Sequence, residues 1–192
     1  MTLLEDIQHG IFHIIDDGAI DHLLFLWVLA IGLTFNDRRM LLWSITGFTL
    51  GHALAAAAVV FGLPMLSMEW VEFAIPLTIV ARGIQRLISP TETTTIPLKT
   101  ILVIALFGFI HGSAISTELK MTLMKGDSLA GKLIGFNIGV ELGQLLCISG
   151  ILLISITLNR LLRIHANMVT RILLVPAIIV AIFLAYYVFP LN

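Results

Sequence analysis

The chain has 192 residues, of which 58% are hydrophobic and 12% are charged. Soluble domains carry about 25% charged residues, so this composition excludes an ordinary soluble protein and indicates an integral membrane protein. The formal net charge is −1, so the chain has no excess of basic residues. This argues against nucleic acid as a partner and leaves the lipid bilayer as the expected one.

Hydropathy divides the chain into six candidate transmembrane helices, each near the length of about 20 residues that crosses a bilayer core. Short connections join them, so residues 1–192 are predicted to form a single domain, an all-α polytopic membrane helical bundle. Ahead of the first span, residues 3–15 are a candidate for a short amphipathic helix at the interface. The spans are predicted at residues 14–35, 40–62, 70–88, 99–119, 132–158 and 168–189.

Lysine and arginine near the span ends indicate the orientation of the bundle. Most of them lie in or beside the connections after the first, third and fifth spans. Because cytoplasmic loops carry the excess of basic residues, both termini are predicted to be extracytoplasmic, in what we expect to be a bacterial inner membrane.

The first span opens on HIIDDGAIDH, residues 13–22, which places histidines and carboxylates at the mouth of an apolar segment. Ionisable groups at a bilayer boundary cost on the order of a few kcal/mol each unless they are paired, and a divalent metal would pair them. The alternative is that the acids face water and cap a helix, with Asp21 in the first turn. The candidate ligands are His13, Asp17, Asp21 and His22.

Isolated polar residues also occur within later spans. His52 follows FTLG in the second span, Glu72 lies one turn into the third, and His111 precedes Ser113 in the fourth. Each is a candidate for a shared polar site, because polar groups in lipid face the bundle interior. A neighbouring helix could equally satisfy a single imidazole such as that of His52.

The fifth span contains FNIGVELGQ, in which Asn137, Glu141 and Gln144 recur at i, i+4 and i+7. This spacing puts the three side chains on one helical face. A carboxylate between two amides favours cation binding over packing, because an unpaired Glu141 in hydrocarbon would be protonated or destabilising.

The predicted topology brings these groups to one depth. His52 and His111 come about twelve residues, or roughly 18 Å, into spans that start on the cytoplasmic side. They therefore reach the outer half of the membrane, where Asp21, Glu72 and Glu141 are also expected. We predict that five spans surround one polar pocket opening outward.

The motifs DHLLFLWVLA after HIIDDG, FTLGHA, WVEFAIPLTIV, FGFIHG and FNIGVELGQ resemble, in order and spacing, signatures of the HupE/UreJ family of hydrogenase and urease accessory membrane proteins. The resemblance covers nearly the whole chain and implies a small helical permease that imports nickel or cobalt. Departures occur after His52, where Ala53 replaces the usual Ser or Thr, and after His111, where Ser113 appears. The family's polar signature falls on His13, Asp21, His22, His52, Glu72, His111, Asn137, Glu141 and Gln144.

The sequence thus predicts a secondary transporter, not an enzyme, whose substrate is a divalent nickel or cobalt ion, with zinc as an alternative. The expected direct ligands are His13, Asp17, Asp21, His22, His52, Glu72, His111 and Glu141. Hydrogen bonds from Asn137, Gln144 and Ser113 are expected to orient those ligands.

Two rival functions stay open at this point. One is a metal-dependent intramembrane hydrolase that uses Ser113 or Ser116 near the histidines. The other is an accessory protein that binds metal without transporting it. A second copy of the chain is a further candidate partner, in a homo-oligomer.

Overall fold

The computed structural model describes residues 2–16, 20–63, 65–88, 98–123, 129–162 and 166–190. These residues form helices joined by short connections, with one 3-10 turn at Phe35–Asp37 and no β-strand. The helices are α1 (Leu3–Ile15), α2 (Ile20–Ala30), α3 (Arg38–Val60), α4 (Met68–Ile88), α5 (Leu98–Leu123), α6 (Leu129–Leu162) and α7 (Ala166–Tyr187).

Three of these helices are long and apolar enough to cross a membrane. The qualifying stretches are Arg38–Val59 in α3, Ala130–Leu158 in α6 and Met168–Tyr187 in α7, while Ile20–Ala30 and Leu98–Ala114 are shorter apolar helices. The prediction of an all-α protein is therefore confirmed, with three helices as candidates for membrane spans. The number of six spans stays a prediction.

The first predicted span, residues 14–35, is wrong as a single helix. α1 ends at Ile15, where Asp16 has extended backbone angles (φ −68°, ψ 155°), and α2 has only 11 residues. The chain then turns at Gly32, whose φ of +77° is readily adopted only by glycine. Hydropathy detects the apolar run, but it does not detect the backbone turns that divide it.

The helix predicted over residues 3–15 is confirmed as α1. Thr2 caps it: the Thr2 hydroxyl accepts from the backbone N–H of Glu5, and the Glu5 carboxylate accepts from the backbone N–H of Thr2. This reciprocal pair satisfies two backbone donors that the helix leaves open at its start.

α1 packs closely along α6. A Cβ atom at Gly10 would overlap the Phe136 carbonyl oxygen, and one at Gly139 would overlap the Ile7 carbonyl oxygen. Only residues without a side chain let two helix backbones approach this far. α1 is therefore held against the first half of the longest helix described, which fixes the position of its last turn.

α3 and α5 form a second close pair. A Cβ atom at Gly51 would overlap the Ala105 carbonyl oxygen, and one at Gly108 would overlap the Phe48 carbonyl oxygen. α2 packs against α4, α6 and α7, and its Phe25 and Leu29 side chains are buried in the core. The Trp27 indole N–H donates to the Leu173 carbonyl oxygen of α7 at 3.1 Å. The short α2 is thus enclosed by the longer helices.

Candidate metal centre

Four histidines from four helices meet in one cluster. His13 comes from the last turn of α1, His22 from the start of α2, His52 from α3 and His111 from α5. The ring centroid of His22 lies 4.7 Å from that of His13, 5.2 Å from that of His111 and 6.3 Å from that of His52. His22 is therefore the central member of this histidine cluster.

Three of the four histidines are removed from solvent, and His13 is partly exposed. His52 and His111 are 0% exposed, and His22 is 5% exposed. Aromatic rings surround them: the Phe48 ring centroid lies 5.2 Å from that of His111, and the Phe136 ring centroid lies 5.5 Å from that of His13. Such an apolar lining strengthens electrostatic interactions inside the site and makes unpaired polar atoms costly.

Two overlapping groups of side chains have the geometry to hold a metal ion. One consists of His13, His22 and His52, and the other of Asp21, His22 and His111; in each, one ligand atom per residue lies within 4.8 Å of the others. Metal–imidazole bonds of about 2.0–2.1 Å keep ligand atoms within about 4 Å of each other, so either group closes on an ion by shifts under about 1 Å.

The cluster offers unpaired nitrogens to such an ion. His13 Nε2, His22 Nε2 and His111 Nδ1 are buried and have no hydrogen-bond partner in the part of the chain that the structure describes. A buried donor or acceptor without a partner costs about 1–3 kcal/mol, which makes an arrangement of several such nitrogens unfavourable unless a ligand satisfies them.

Protonation of His13 is disfavoured. His13 lies in α1, outside the helices that qualify as membrane spans, and desolvation on burial, followed by the proximity of His22, lowers its pKa to about 3. The ring of His13 is therefore neutral at neutral pH, and one of its nitrogens keeps the lone pair that a metal requires.

Asp21 orients the central histidine. The Asp21 Oδ1 atom accepts from the His22 backbone N–H at 2.8 Å and lies 3.0 Å from His22 Nδ1. An ionised carboxylate only accepts hydrogen bonds, so His22 Nδ1 carries a proton, and the buried Nε2 is the ring nitrogen left for a metal. A carboxylate that fixes a histidine in this way is common beside metal ligands.

The family model described as HupE / UreJ protein matches residues 1–190. The chain belongs to the HupE/UreJ family. The resemblance found in the motifs is thereby confirmed. No curated protein and no solved structure matches the chain.

The polar face of α6 in this HupE/UreJ protein lies beside the cluster. Glu141 Oε1 accepts from the Thr46 hydroxyl at 2.7 Å, and Gln144 Oε1 accepts from the Thr49 hydroxyl at 3.0 Å. Neither metal-competent group of the described residues includes Glu141. The two bonds form a separate polar layer between α3 and α6, and Thr46 and Thr49 precede His52 by about two turns and one turn.

Other predicted site residues have different surroundings. Glu72 is exposed on α4, so it does not share the buried environment of the histidines. The Ser113 hydroxyl donates to the Phe109 carbonyl oxygen of its own helix. The Asn137 amide nitrogen donates to the Leu133 carbonyl oxygen of its own helix, and the Asn137 side chain is also a hydrogen-bonding neighbour of His52. Asp17 and the side chain of Ser116 lie outside the described part of the chain.

One residue of the site was not predicted from the sequence. Thr78 of α4 is 5% exposed, and its hydroxyl lies 2.7 Å from the Ile75 carbonyl oxygen and 3.0 Å from His111 Nε2. A threonine inside an apolar span commonly bonds to its own helix and needs no other partner. The sequence therefore carries no signal that separates Thr78 from other membrane-embedded threonines.

Proposed function

We propose that this member of the HupE/UreJ family is a membrane permease that captures a divalent nickel or cobalt ion at the histidine cluster. The observation that carries the proposal is the convergence of four imidazoles from four helices, with buried nitrogens that lack hydrogen-bond partners among the described residues. Imidazole with carboxylate is a donor set that nickel, cobalt and zinc prefer.

The overlap between the two metal-competent groups supports transfer within the site. His22 belongs to both groups, while His13 and His52 complete one and Asp21 and His111 complete the other. An ion held by His22 exchanges its remaining ligands one at a time, so it moves between the groups without losing all of its protein ligands. Such stepwise exchange keeps the binding at each position weak enough for the ion to leave it, as conduction requires.

The membrane arrangement completes the proposal. We propose six spans with both termini on the extracytoplasmic side of a bacterial inner membrane, which places the start of α2 near the outer face. The proposal follows from the excess of lysine and arginine at the opposite ends of the spans. The ion would then enter from outside, and a shift of one group of helices against another would open the site inward.

The deciding experiment measures metal flux. The purified chain is reconstituted in liposomes that enclose a metal-sensitive dye, and Ni²⁺ or Co²⁺ is added outside. We expect uptake by the wild type and a fall to the protein-free rate for His22→Ala and His52→Ala, because each removes a ligand of at least one group. His9→Ala is the matched control, since His9 is an exposed histidine one turn before His13 on the same helix.

The outcomes separate the alternatives. Equal uptake by wild type and by a folded H22A/H52A double variant would contradict the metal site. Binding of Ni²⁺ without flux would replace the permease with a metal-holding accessory protein. That the chain is not an enzyme stays a prediction, and chelator-sensitive hydrolysis of a lipid or peptide by the purified protein would contradict it.

A further inference from the structure

The Thr78 hydroxyl links the backbone of α4 to the histidine cluster. It has two polar neighbours, the Ile75 carbonyl oxygen at 2.7 Å and His111 Nε2 at 3.0 Å. Both Thr78 and His111 are buried, so the hydrogen bonds are not in competition with bulk water. The positions of the protons in this small network follow from the chemistry of its three members.

A hydroxyl has one hydrogen to donate, and a carbonyl oxygen only accepts. The short bond to Ile75 therefore uses the Thr78 hydrogen. The Thr78 oxygen is left as an acceptor toward His111, so the proton of the neutral His111 ring must be on Nε2. Its Nδ1 atom then keeps the lone pair, and this is the buried nitrogen of His111 that has no hydrogen-bond partner among the described residues.

We propose that Thr78 is a positioning residue that selects Nδ1 as the metal-binding atom of His111. It holds the ring in one orientation and leaves Nδ1 available in the metal-competent group that His111 forms with Asp21 and His22. The functional meaning of this role rests on the proposed capture of a metal ion. The proton position itself does not depend on that proposal.

The two histidines of this group use opposite nitrogens. Asp21 holds the proton of His22 on Nδ1, so His22 presents Nε2, whereas Thr78 holds the proton of His111 on Nε2. Without the Thr78 oxygen, the buried Nε2–H of His111 would lose its acceptor. The Asp21 carboxylate is the nearby acceptor that remains in the group, so we expect the proton to move to Nδ1 and occupy the lone pair that a metal needs.

The first test locates the proton in the metal-free protein. ¹⁵N-histidine-labelled protein in nanodiscs is examined by NMR, and the His111 signals are assigned by their loss in His111→Gln. We expect a protonated Nε2 and an unprotonated Nδ1 in the wild type, and the reverse or a mixture in Thr78→Val. A protonated Nδ1 in the wild type would overturn the inference whether or not the protein binds metal.

The second test measures Ni²⁺ affinity by calorimetry, with Co²⁺ absorption spectra as a check on the ligand set. We expect Thr78→Val to weaken binding about 10–100-fold, the usual effect of removing a group that orients a ligand. Thr78→Ser keeps the hydroxyl and should stay within about threefold of the wild type. Ser155→Ala is the control, because it removes a hydroxyl that is 1% exposed and has no hydrogen-bond partner among the described residues.

These measurements distinguish two failures. If the wild type binds neither Ni²⁺ nor Co²⁺, the proposed function fails, while the NMR result still decides the role of Thr78. If the wild type binds and T78V binds equally well, or if T78S is as weak as T78V, the positioning role is overturned and metal capture stands. Should T78V fail to fold, the wild-type proton position and the T78S affinity still decide the question.

Discussion

Individual residues in this site differ in how well their environment follows from the sequence. The histidines were predictable, because an imidazole inside an apolar span needs a partner and only a few partners are available there. The hydrogen-bond partner of Glu141 was not predictable, since the sequence places Glu141 on a helical face without showing that Thr46 lies opposite. Thr78 shows the same gap: its contact with His111 joins residues on different helices, 33 positions apart.

The bond between Thr46 and Glu141 gives a prediction at this scale. Thr46→Val removes a hydroxyl that donates to the carboxylate at 2.7 Å and keeps nearly the same side-chain shape. Interhelical hydrogen bonds in membranes contribute about 0.6–2 kcal/mol, so we expect the free energy of unfolding of T46V to fall by that amount. Unfolding in SDS measures it. Thr46→Ser keeps the donor, and an equal loss in T46S would show that the hydroxyl is not what stabilises this contact.

At the scale of elements, the presence of helices was predictable, whereas the residues at which they begin and end were less predictable. The amphipathic pattern of residues 3–15 correctly predicted α1, including its start. The apolar run of residues 14–35 did not reveal that α2 is a short helix, because a turn at Gly32 depends on a backbone angle and not on hydropathy. The sequence did not show which helices would pair, because the close contacts at Gly51 and Gly139 are with residues far away in the chain.

The close pairing of α3 with α5 sets the distance between two histidines of the cluster. Gly51 precedes His52 on α3, and a Cβ atom there would overlap the Ala105 carbonyl oxygen of α5. Gly51→Ala therefore forces the two helices apart, which we expect to lower the free energy of unfolding by about 1–3 kcal/mol. Ni²⁺ affinity should fall as well, because His52 and His111 move apart with their helices.

A matched glycine on α6 controls for the effect of alanine in a helix. Among the described residues, no atom outside the adjacent backbone of α6 lies within 4 Å of a Cβ built at Gly150, so Gly150→Ala meets open space. Alanine favours a helix over glycine by up to about 1 kcal/mol, and G150A should leave stability unchanged or slightly higher. Thermal unfolding and Ni²⁺ titration of both variants test the pairing, and a G51A protein that matches G150A in both would show that α3 and α5 can separate without cost.

For the whole molecule, the histidine cluster lies where two glycine-packed helix pairs meet. The pair of α1 and α6 contributes His13, the pair of α3 and α5 contributes His52 and His111, and α2 contributes His22 between them. The sequence predicted that distant helices would converge on one polar site through an argument about depth in the membrane. Depth alone does not determine the rotation of each helix about its axis. The prediction from depth therefore also included Glu72, which is exposed.

This arrangement makes metal binding a link between separate parts of the fold. An ion held by His13, His22 and His52 joins α1, α2 and α3, so it stabilises the folded protein relative to the unfolded chain. The gain in the free energy of unfolding is RT ln(1 + [L]/Kd), where [L] is the free Ni²⁺ concentration, or about 2.7 kcal/mol when Ni²⁺ is at 100 times its Kd.

We expect Ni²⁺ to raise the Tm of the wild type in detergent and EDTA to reverse the rise. The rise should disappear in H22A/H52A and persist in His9→Ala, because His9 is exposed. An equal rise in the double variant would show that Ni²⁺ stabilises the protein from another site, and the cluster would then not be the link between the helix pairs.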